Sequence, residues 1–326
     1  MRVEETGFAA VDGSPLAGTL CLPPGEGPHP AALLLVGSGE VDRDSDHQKL
    51  RTGVTRMLAE GLEGVGVGSL RYDKRGVGAS GGSFLEASFA DTRDDAARAL
   101  EALRAQPGVD GDRVVVIGHS EGALHALSLA AEDRGLAGVC LLAGPAVTGE
   151  AALRWQAVRI IATLPAPVRL LLRVLRHSPE RAQAKLFAKL RASDVPVLRI
   201  QGRRSNAGWL RGFIDHDPAE EFRRLQVPLL AVTGDLDLQV DPADLERMAA
   251  LVPHEHVETH RVARVNHLLR HTDGTGSPTE YRKQLRRQQP LDTRVLETVT
   301  DWVAARVAGG DVRSGHGTAG EVASGP

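Results

Sequence analysis

The composition of this chain is that of an ordinary globular protein. Its 326 residues are 42% apolar and 25% charged, with a formal net charge of −3. The length fits one α/β domain with an insertion, and the sequence contains no apolar run typical of a secretory signal or a membrane span. We therefore expect a cytoplasmic protein. Cys21 and Cys140 stand in apolar strand-like runs, which favours buried free thiols over a disulfide or a metal site.

Short apolar runs and turn signals alternate along the first hundred residues. Asp12-Gly13 separates the strand-like runs 3–10 and 16–22, and this pattern predicts a hairpin. A proline-rich link then leads to the apolar run 31–36, which predicts a central strand. Further predicted elements are a helix at 50–62, a strand at 65–70, and a helix that begins with a Ser88/Asp91 capping box and continues to Leu103.

Two glycine-rich loops follow predicted strands. In the first, residues 37–44, Gly37 and Gly39 allow backbone N–H groups to approach a substrate because no side chain intervenes. In the second, residues 71–80, the glycines indicate a tight turn. We interpret Asp73 and Arg75 of this turn as braces that form charge-assisted bonds beside a site, with a catalytic role as the less favoured alternative.

The strongest functional motif is Gly-His-Ser-Glu-Gly at residues 118–122. It lies between the β-branched run 113–117, typical of a strand buried on both faces, and the Ala- and Leu-rich helical segment 123–132. The chain must reverse there within a few residues, so Gly118 and Gly122 remove Cβ atoms that would otherwise collide. We predict that Ser120 is a nucleophile and that the N–H of Glu121, at a helix N-terminus, receives an oxyanion. A purely structural turn is the alternative.

The next apolar run, residues 138–142, predicts another strand. Strands that alternate with helices predict a mostly parallel sheet, and such sheets bind ligands beyond the carboxyl ends of their strands. Ser38, Asp73 and Ser120 all follow predicted strands. We therefore expect these three residues to lie at one edge of the sheet.

Three motifs together resemble those of bacterial serine esterases of the α/β-hydrolase superfamily. They are Gly-Ser-Gly-x-x-Asp-Arg-Asp, Asp-x-Arg-Gly-x-Gly-x-Ser and Gly-His-Ser-x-Gly, and the resemblance covers residues 1–145 and 205–305. It implies an α/β-hydrolase fold, with a mostly parallel central sheet, helices on both faces and an inserted helical cap. It also implies that the backbone N–H of Ser38 is the second oxyanion donor, although Val36 stands where many relatives have histidine.

The same resemblance implies the acid of a catalytic triad. After the predicted strand 227–234, relatives carry Gly-x-x-Asp, which selects Asp237. Asp235 and Asp241 are the alternatives. The acid must lie at the carboxyl end of a strand to reach an imidazole, and Asp237 satisfies this condition.

The resemblance also implies the base. After the predicted strand 256–262, the histidine of relatives follows as Asn-His or Gly-His, which selects His267 over His260 and His271. The chain order Ser120, Asp237, His267 is the order of this fold.

Residues 148–225 interrupt the alternation and predict a helical cap between the core segments 1–147 and 226–307. Within the cap, segment 151–204 carries a net charge of +10, which indicates either a solvated face or attraction for anionic substrates or surfaces. Its apolar residues at helical spacing predict an acyl pocket or a plain cap-to-core contact, with Trp155, Ile160, Leu171 and Leu175 as the named examples. The segment 308–326 is rich in small residues and predicts a disordered tail.

The sequence therefore predicts a serine hydrolase that cleaves carboxylic esters of small or medium acyl groups, with no metal or organic cofactor. The same triad serves acyl-CoA thioesterases, acyltransferases, lactonases and peptidases, and these alternatives stay open. A non-catalytic binding protein is disfavoured because every triad and glycine position is filled. No nucleic-acid partner is expected, since the basic cap lacks interleaved aromatic residues. A homo-oligomer is left open.

Overall fold

The computed structural model describes residues 2–48, 50–174, 178–253 and 255–308. Three sequence predictions concern parts of the chain that are not described. They concern the tail beyond Ala308, the residue Leu175 and the side chain of Leu171.

The chain alternates strands and helices along most of its length. The strands are β1 (Arg2–Ala9), β2 (Pro15–Leu22), β3 (His29–Leu35), β4 (Asp46–His47), β5 (Leu50–Arg51), β6 (Gly68–Tyr72), β7 (Val109–His119), β8 (Gly138–Leu142), β9 (Val197–Ile200), β10 (Arg203–Asn206), β11 (Leu229–Gly234) and β12 (Val257–Val262). The helices are α1 (Val54–Gly64), α2 (Phe89–Arg104), α3 (Glu121–Glu132), α4 (Gly149–Ala162), α5 (Ala166–Val174), α6 (Pro179–Arg191), α7 (Ala207–Asp215), α8 (Ala219–Arg224), α9 (Asp244–Leu251), α10 (Pro278–Arg286) and α11 (Thr293–Ala308). Within the described residues, no helix combines the length and the apolar character that crossing a bilayer requires.

Eight strands form one sheet in the order β1-β2-β6-β3-β7-β8-β11-β12. The strand β2 is antiparallel to both of its neighbours, and every other pairing is parallel. Parallel neighbours need crossover connections, which the intervening helices supply. The predicted α/β fold with a mostly parallel sheet is therefore confirmed.

Side chains of the central strands alternate between two cores, one on each face of the sheet. In β3, Leu33 and Leu35 belong to the core under α2, α3 and α9, whereas Ala32 and Leu34 belong to the core under α1 and α11. This alternation follows from the two-residue period of a strand. Because both faces are covered by helices, the central strands are apolar on both sides.

Several element boundaries differ from the sequence predictions. The helix predicted at 50–62 begins only at Val54, because Leu50–Arg51 pairs with Asp46–His47 as a short hairpin. The strand before Ser120 is longer than the predicted 113–117 and spans Val109–His119. The helix α10 has no counterpart among the predictions.

The predicted cap contains helices α4 to α8 and one antiparallel hairpin, β9 with β10. Phe187, Leu190 and Phe213 of this region pack with Phe89 and Leu124 of the core. The last helix of this region, α8, packs differently. Its residue Phe222 and the following Leu225 are fully buried in the same core as the central strands. The division of the chain at 148–225 stays a prediction, and α8 packs on the core side of it.

Candidate active site

Five of the predicted site residues lie just beyond the carboxyl ends of five parallel strands. Gly37 follows β3, Asp73 follows β6, Ser120 follows β7, Asp237 follows β11 and His267 follows β12. The carboxyl ends of parallel strands meet at one edge of a sheet, which is where ligands of such folds bind. The topology therefore gathers residues from distant parts of the chain.

The turn between β7 and α3 has the strained geometry expected of a nucleophile elbow. Ser120 has φ 56° and ψ −117°, and its backbone N–H donates to the Leu142 carbonyl at 2.9 Å. A Cβ at Gly118 would lie 2.0 Å from the Gly122 carbonyl oxygen, and one at Gly122 would lie 2.3 Å from the Leu35 carbonyl oxygen. Both of these distances are far shorter than a normal contact, and both involve backbone atoms, not the ends of flexible side chains. Only glycine fits at these two positions, so β3, β7 and α3 can approach closely.

The side chains of Ser120, His267 and Asp237 meet in a hydrogen-bonded chain. His267 Nε2 lies 3.1 Å from Ser120 Oγ, and His267 Nδ1 lies 2.8 Å from Asp237 Oδ2. The second carboxylate oxygen of Asp237 accepts backbone N–H groups from Gln239 at 2.7 Å and Val240 at 3.0 Å. These donors fix the carboxylate, which in turn orients the imidazole with Nδ1 as donor and Nε2 facing the serine.

The alternative acids and bases have other partners. Asp235 accepts the Arg264 backbone N–H at 2.6 Å, and Asp241 accepts that of Ala243 at 3.0 Å. His260 Nε2 lies 2.6 Å from a Glu258 carboxylate oxygen. The remaining histidine, His271, lies 3.5 Å from Asp273. None of these bonds joins a residue to Ser120, so the described contacts favour Asp237 and His267.

Two buried polar residues, His119 and Asn266, lie next to His267, the predicted base. The Nε2 of His119 lies 2.9 Å from the His267 carbonyl oxygen, and burial, reinforced by the neighbouring His267, lowers the pKa of His119 to about 4. His119 is therefore neutral near pH 7 and donates its Nε2–H to that carbonyl. Asn266 is fully buried and binds Gln284 through its amide at 2.8 Å. Neither role was assigned from the sequence, although both residues stand inside the motifs.

The predicted oxyanion donors lie on either side of Ser120. Glu121 is the first residue of α3, so its backbone N–H has no acceptor one turn earlier within the helix. A Cβ at Gly37 would lie 3.3 Å from Ser120 Cβ, which shows how closely the loop after β3 approaches the elbow. Ser38, next in that loop, is exposed and lines the space in front of Ser120. The assignment of both N–H groups as oxyanion donors stays a prediction.

Asp73 and Arg75 make separate sets of charge-assisted bonds. Asp73 accepts the Arg43 guanidinium at 2.8 Å and the Ala79 backbone N–H at 2.9 Å. Arg75 binds both carboxylate oxygens of Asp95, at 2.7 and 2.8 Å. Among the described contacts, neither residue touches Ser120, Asp237 or His267. These bonds link the loop after β6 to the loop after β3 and to α2. The bracing role of the two residues stays a prediction.

Two adjoining cavities open at the strand ends. The nucleophile cavity, of about 70 Å³, is lined by Ser38, Ser120, Glu121, Pro145, Ala152, Leu153, Gln156, Trp209, Phe213, Gln239 and Val240. The side cavity, of about 280 Å³, is lined by Ser38, Gly39, Lys74, Arg75, Phe84, Ala87, Thr92, Asn206, Trp209 and Leu210. They share Ser38 and Trp209. The predicted pocket residues Trp155 and Ile160 line neither of these two cavities.

Helix α7, which the sequence did not single out, lines both cavities, and α4 contributes to the wall of the nucleophile cavity. Asn206 caps this helix by accepting the Trp209 backbone N–H at 2.8 Å, and its amide donates to the Phe84 and Ala87 carbonyls, each at 2.6 Å. The rings of Trp209 and Phe213 stack at 5.0 Å. An Asn before an apolar run is a helix N-cap signal, and it was the available clue to this element.

Comparison with known proteins identifies the family. Residues 51–272 match the family model described as serine aminopeptidase, S33. Esterase EstD of Thermotoga maritima is 28% identical over 297 residues, which cover 88% of this chain. The match spans 65% of the length of EstD.

Solved structures with similar folds include hydrolases of several kinds. A proline iminopeptidase of Mycobacterium smegmatis superposes with a TM-score of 0.62 at 16% identity, covering 94% of this chain and 100% of that one. Est1E of Butyrivibrio proteoclasticus, with ferulic acid bound, gives a TM-score of 0.61 at 17% identity, covering 93% and 99%. At these identities the likeness supports the fold, which agrees with the α/β-hydrolase architecture described above.

Proposed function

The chain belongs to the serine aminopeptidase S33 family, and from this premise we propose that it hydrolyses carboxylic esters of small or medium acyl groups through an acyl-enzyme on Ser120. The observation that carries the proposal is the hydrogen-bonded chain from Ser120 through His267 to Asp237, with contacts of 3.1 and 2.8 Å. A strained serine beside an oriented imidazole is the arrangement that acyl transfer requires.

The proposed mechanism has two halves. His267 Nε2 takes the Ser120 proton while Oγ attacks the ester carbonyl, and Asp237 stabilises the imidazolium that forms. The N–H groups of Ser38 and Glu121 receive the oxyanion. The imidazolium then protonates the departing alcohol, and water repeats the sequence on the acyl-enzyme to release the acid.

The two cavities suggest where the substrate lies. The leaving group takes its proton from His267 and must lie on that side of Ser120. The side cavity lies past Ser38 and is lined by none of the three triad residues, so we assign it to the acyl group. Its volume of about 280 Å³ is near the lower limit for small-molecule sites, and this supports acyl groups of small or medium size.

Charge in the cavities favours an ester over an aminopeptidase substrate, despite the name of the family. An aminopeptidase substrate carries a free ammonium close to the scissile bond and needs an unpaired carboxylate or another acceptor near it. Among the residues described as lining the two cavities, the only carboxylate is Glu121, whose oxygens already bind Lys74 and Trp209. The other charged groups that line the side cavity, Lys74 and Arg75, are hydrogen-bond donors and offer an ammonium no acceptor.

The test combines labelling with a substrate panel. A fluorophosphonate should label Ser120 alone, and Ser120→Ala should lower kcat by several orders of magnitude, on the order of the 10⁶ measured when the serine of subtilisin is removed. Ser83→Ala is the matched control and should be labelled like the wild type. The panel contains p-nitrophenyl esters of increasing chain length, acyl-CoA thioesters and aminoacyl p-nitroanilides. Turnover of the anilides alone would contradict the proposal and favour a peptidase.

A further inference from the structure

A lysine and a glutamate are buried together directly beside the proposed nucleophile. The side chain of Lys74 is 9% exposed and that of Glu121 is fully buried. Both residue types are almost never buried without partners, because removing a charge from water is costly. Lys74 Nζ lies 3.0 Å from Glu121 Oε2, and the second oxygen of Glu121 accepts Trp209 Nε1–H at 2.6 Å. The pair therefore joins the loop after β6, the start of α3 and the cap helix α7.

The carboxylate of this pair is ionised. Burial by itself raises the pKa of Glu121. The Lys74 ammonium, the His125 ring at 3.2 Å and the Trp209 indole together outweigh burial, and the pKa falls to about 2. The triad as predicted does not use this ion pair. Its position beside Ser120 therefore needs another explanation.

Lys74 makes a second hydrogen bond that the ion pair does not require. Its Nζ donates to the Gly37 carbonyl oxygen at 2.7 Å. That oxygen belongs to the same planar peptide group as the N–H of Ser38, and in a trans peptide the two groups point in opposite directions. A donor that holds the Gly37 carbonyl therefore also sets the direction of the Ser38 N–H.

Among the described hydrogen bonds, the one to the Gly37–Ser38 peptide group comes from Lys74. Gly37 has no side chain, Ser38 and Gly39 are exposed, and Gly39 has a positive φ of 96°. Such a loop has several accessible backbone conformations. Without a fixed donor on the Gly37 carbonyl, the Ser38 N–H could turn away from Ser120.

We propose that Lys74 is a positioning residue of the oxyanion hole, which clamps the Gly37–Ser38 peptide against the first residue of α3. One ammonium thereby connects the residues that supply both oxyanion donors, Ser38 and Glu121. The inference rests on the proposed function. The competing explanation is that Lys74 only neutralises the buried Glu121 carboxylate and has no effect on the Ser38 N–H.

Two variants separate these explanations. Lys74→Met removes both bonds and leaves the Glu121 charge buried without its cation, so we expect lower thermal stability. We also expect kcat to fall about 100-fold with little change in KM. This loss is near the lower limit for removal of one oxyanion donor. Lys74→Met combined with Glu121→Gln buries no charge at this point. We expect its thermal stability to recover while kcat stays about 100-fold low, since the Gly37 carbonyl is still unheld.

The opposite end of α3 supplies a matched control. Arg104 pairs there with Asp133, which follows the last residue of the helix. Arg104→Met removes an ion pair at the end of the same helix that is remote from Ser120. Because this pair contacts none of the proposed reacting groups, kcat should stay within about threefold of wild type. A large loss of kcat in this variant would show that any loosening of α3 reduces activity, and it would overturn the role given to Lys74.

The readouts are kcat and KM on a short ester, the thermal unfolding midpoint, and the rate of fluorophosphonate labelling of Ser120. An unlabelled wild-type Ser120 would remove the proposed function itself. A different result would overturn only the role of Lys74. In that result Ser120 of the wild type is labelled, and the double variant is labelled equally fast and keeps the wild-type kcat. If the single variant does not fold because Glu121 lacks a counter-ion, the double variant still decides between the two explanations.

Discussion

The core strands and the cap helices bury their residues to very different extents. Every residue of β6, β8 and β11 is buried. In α4, by contrast, only Gly149 and Ala152 are buried, and Leu170 of α5 is 59% exposed. The carboxyl ends of the parallel strands present the proposed triad, whereas α4 and α7 supply cavity walls. Rigid strands suit groups that need fixed distances, and loosely packed helices suit surfaces that vary with the substrate.

This difference suggests a division of labour that mutation can test. Changes at the strand ends should affect every substrate alike, because they alter the reacting groups. Changes in the cap should affect some substrates and spare others. A cap variant that lowers activity uniformly, or a core variant that changes only chain-length preference, would contradict the division.

Among the variants that test this division, Asp237→Asn has the largest expected effect. The backbone N–H groups of Gln239 and Val240 would hold the amide oxygen, so the amide NH2 would face His267 Nδ1 and donate to it. The imidazole then takes the wrong tautomer, and kcat should fall on the order of 10⁴, as in serine proteases. The neighbouring Asp235→Asn is the matched control, because Asp235 accepts only the Arg264 backbone N–H among its described contacts. Steady-state kinetics on a short ester measures both. The opposite ranking of the two losses would move the acid to Asp235.

A second core prediction concerns the pH dependence of stability. The folded protein holds His119 neutral down to a pKa of about 4, whereas an unfolded imidazole binds a proton near pH 6.5. The unfolded state therefore binds more protons between these values. The free energy of unfolding should fall as the pH drops from 6.5 to 4, with His119 contributing up to about 3 kcal/mol of that loss.

His119→Gln tests this contribution, since the amide still donates to the His267 carbonyl but does not titrate. Chemical denaturation at several pH values should show a flatter decline for the variant than for the wild type. The His260→Gln change, made in parallel, controls for removing an imidazole whose side chain is 39% exposed. Equal slopes for His119→Gln and the wild type would contradict the prediction.

A smaller and more selective effect is expected from the cap wall. Leu210→Trp would fill part of the side cavity. We expect kcat/KM to fall about tenfold for the longer p-nitrophenyl esters and to stay nearly unchanged for the acetate ester. The size of this loss agrees with the ~1–3 kcal/mol that a misfitting methylene costs. Val158→Trp introduces the same side chain at a cap position that is 55% exposed. A chain-length series on the two variants measures the difference. Equal losses on acetate and on long esters would place the acyl group elsewhere.

The smallest effect concerns the charge of the cap. Lys185 and Lys189 lie four residues apart on α6 and are both exposed. Reversing both to Glu should lower kcat/KM for an acyl-CoA only a few-fold at low salt, with no change for a neutral ester of the same chain, because surface charges act mainly on encounter rates. A salt series on both substrates decides the question. Equal behaviour of the two substrates would leave the basic cap as a solvated surface.

Local patterns were sufficient to predict the elements around the nucleophile. The β-branched run before Ser120, the helical segment after it and the paired glycines each act over a few residues, and the observed β7, α3 and elbow follow them. The capping box at Ser88 and Asp91 is likewise a contact over three residues, and both of its bonds are present. Such signals can be seen in a sequence because the interacting groups are neighbours along the chain.

The acid and the base required more than local pattern. Asp237 and His267 lie 30 residues apart and His267 lies 147 residues from Ser120, so their choice depended on a family resemblance. Periodicity alone also missed the start of α1, because residues 50–51 pair with the short strand Asp46–His47, which a helical pattern does not reveal.

The sequence by itself determined the alternation of the central strands and helices, the elbow and its glycines, and the mostly parallel sheet, because these depend on periodicity and on backbone conformation at single residues. Only the tertiary structure decided which cap residues line the cavities and which buried charges meet. Lys74 and Glu121 are 47 residues apart, and Trp209 is another 88 residues away. Their contacts arise where three elements converge, and no spacing along the chain encodes that convergence.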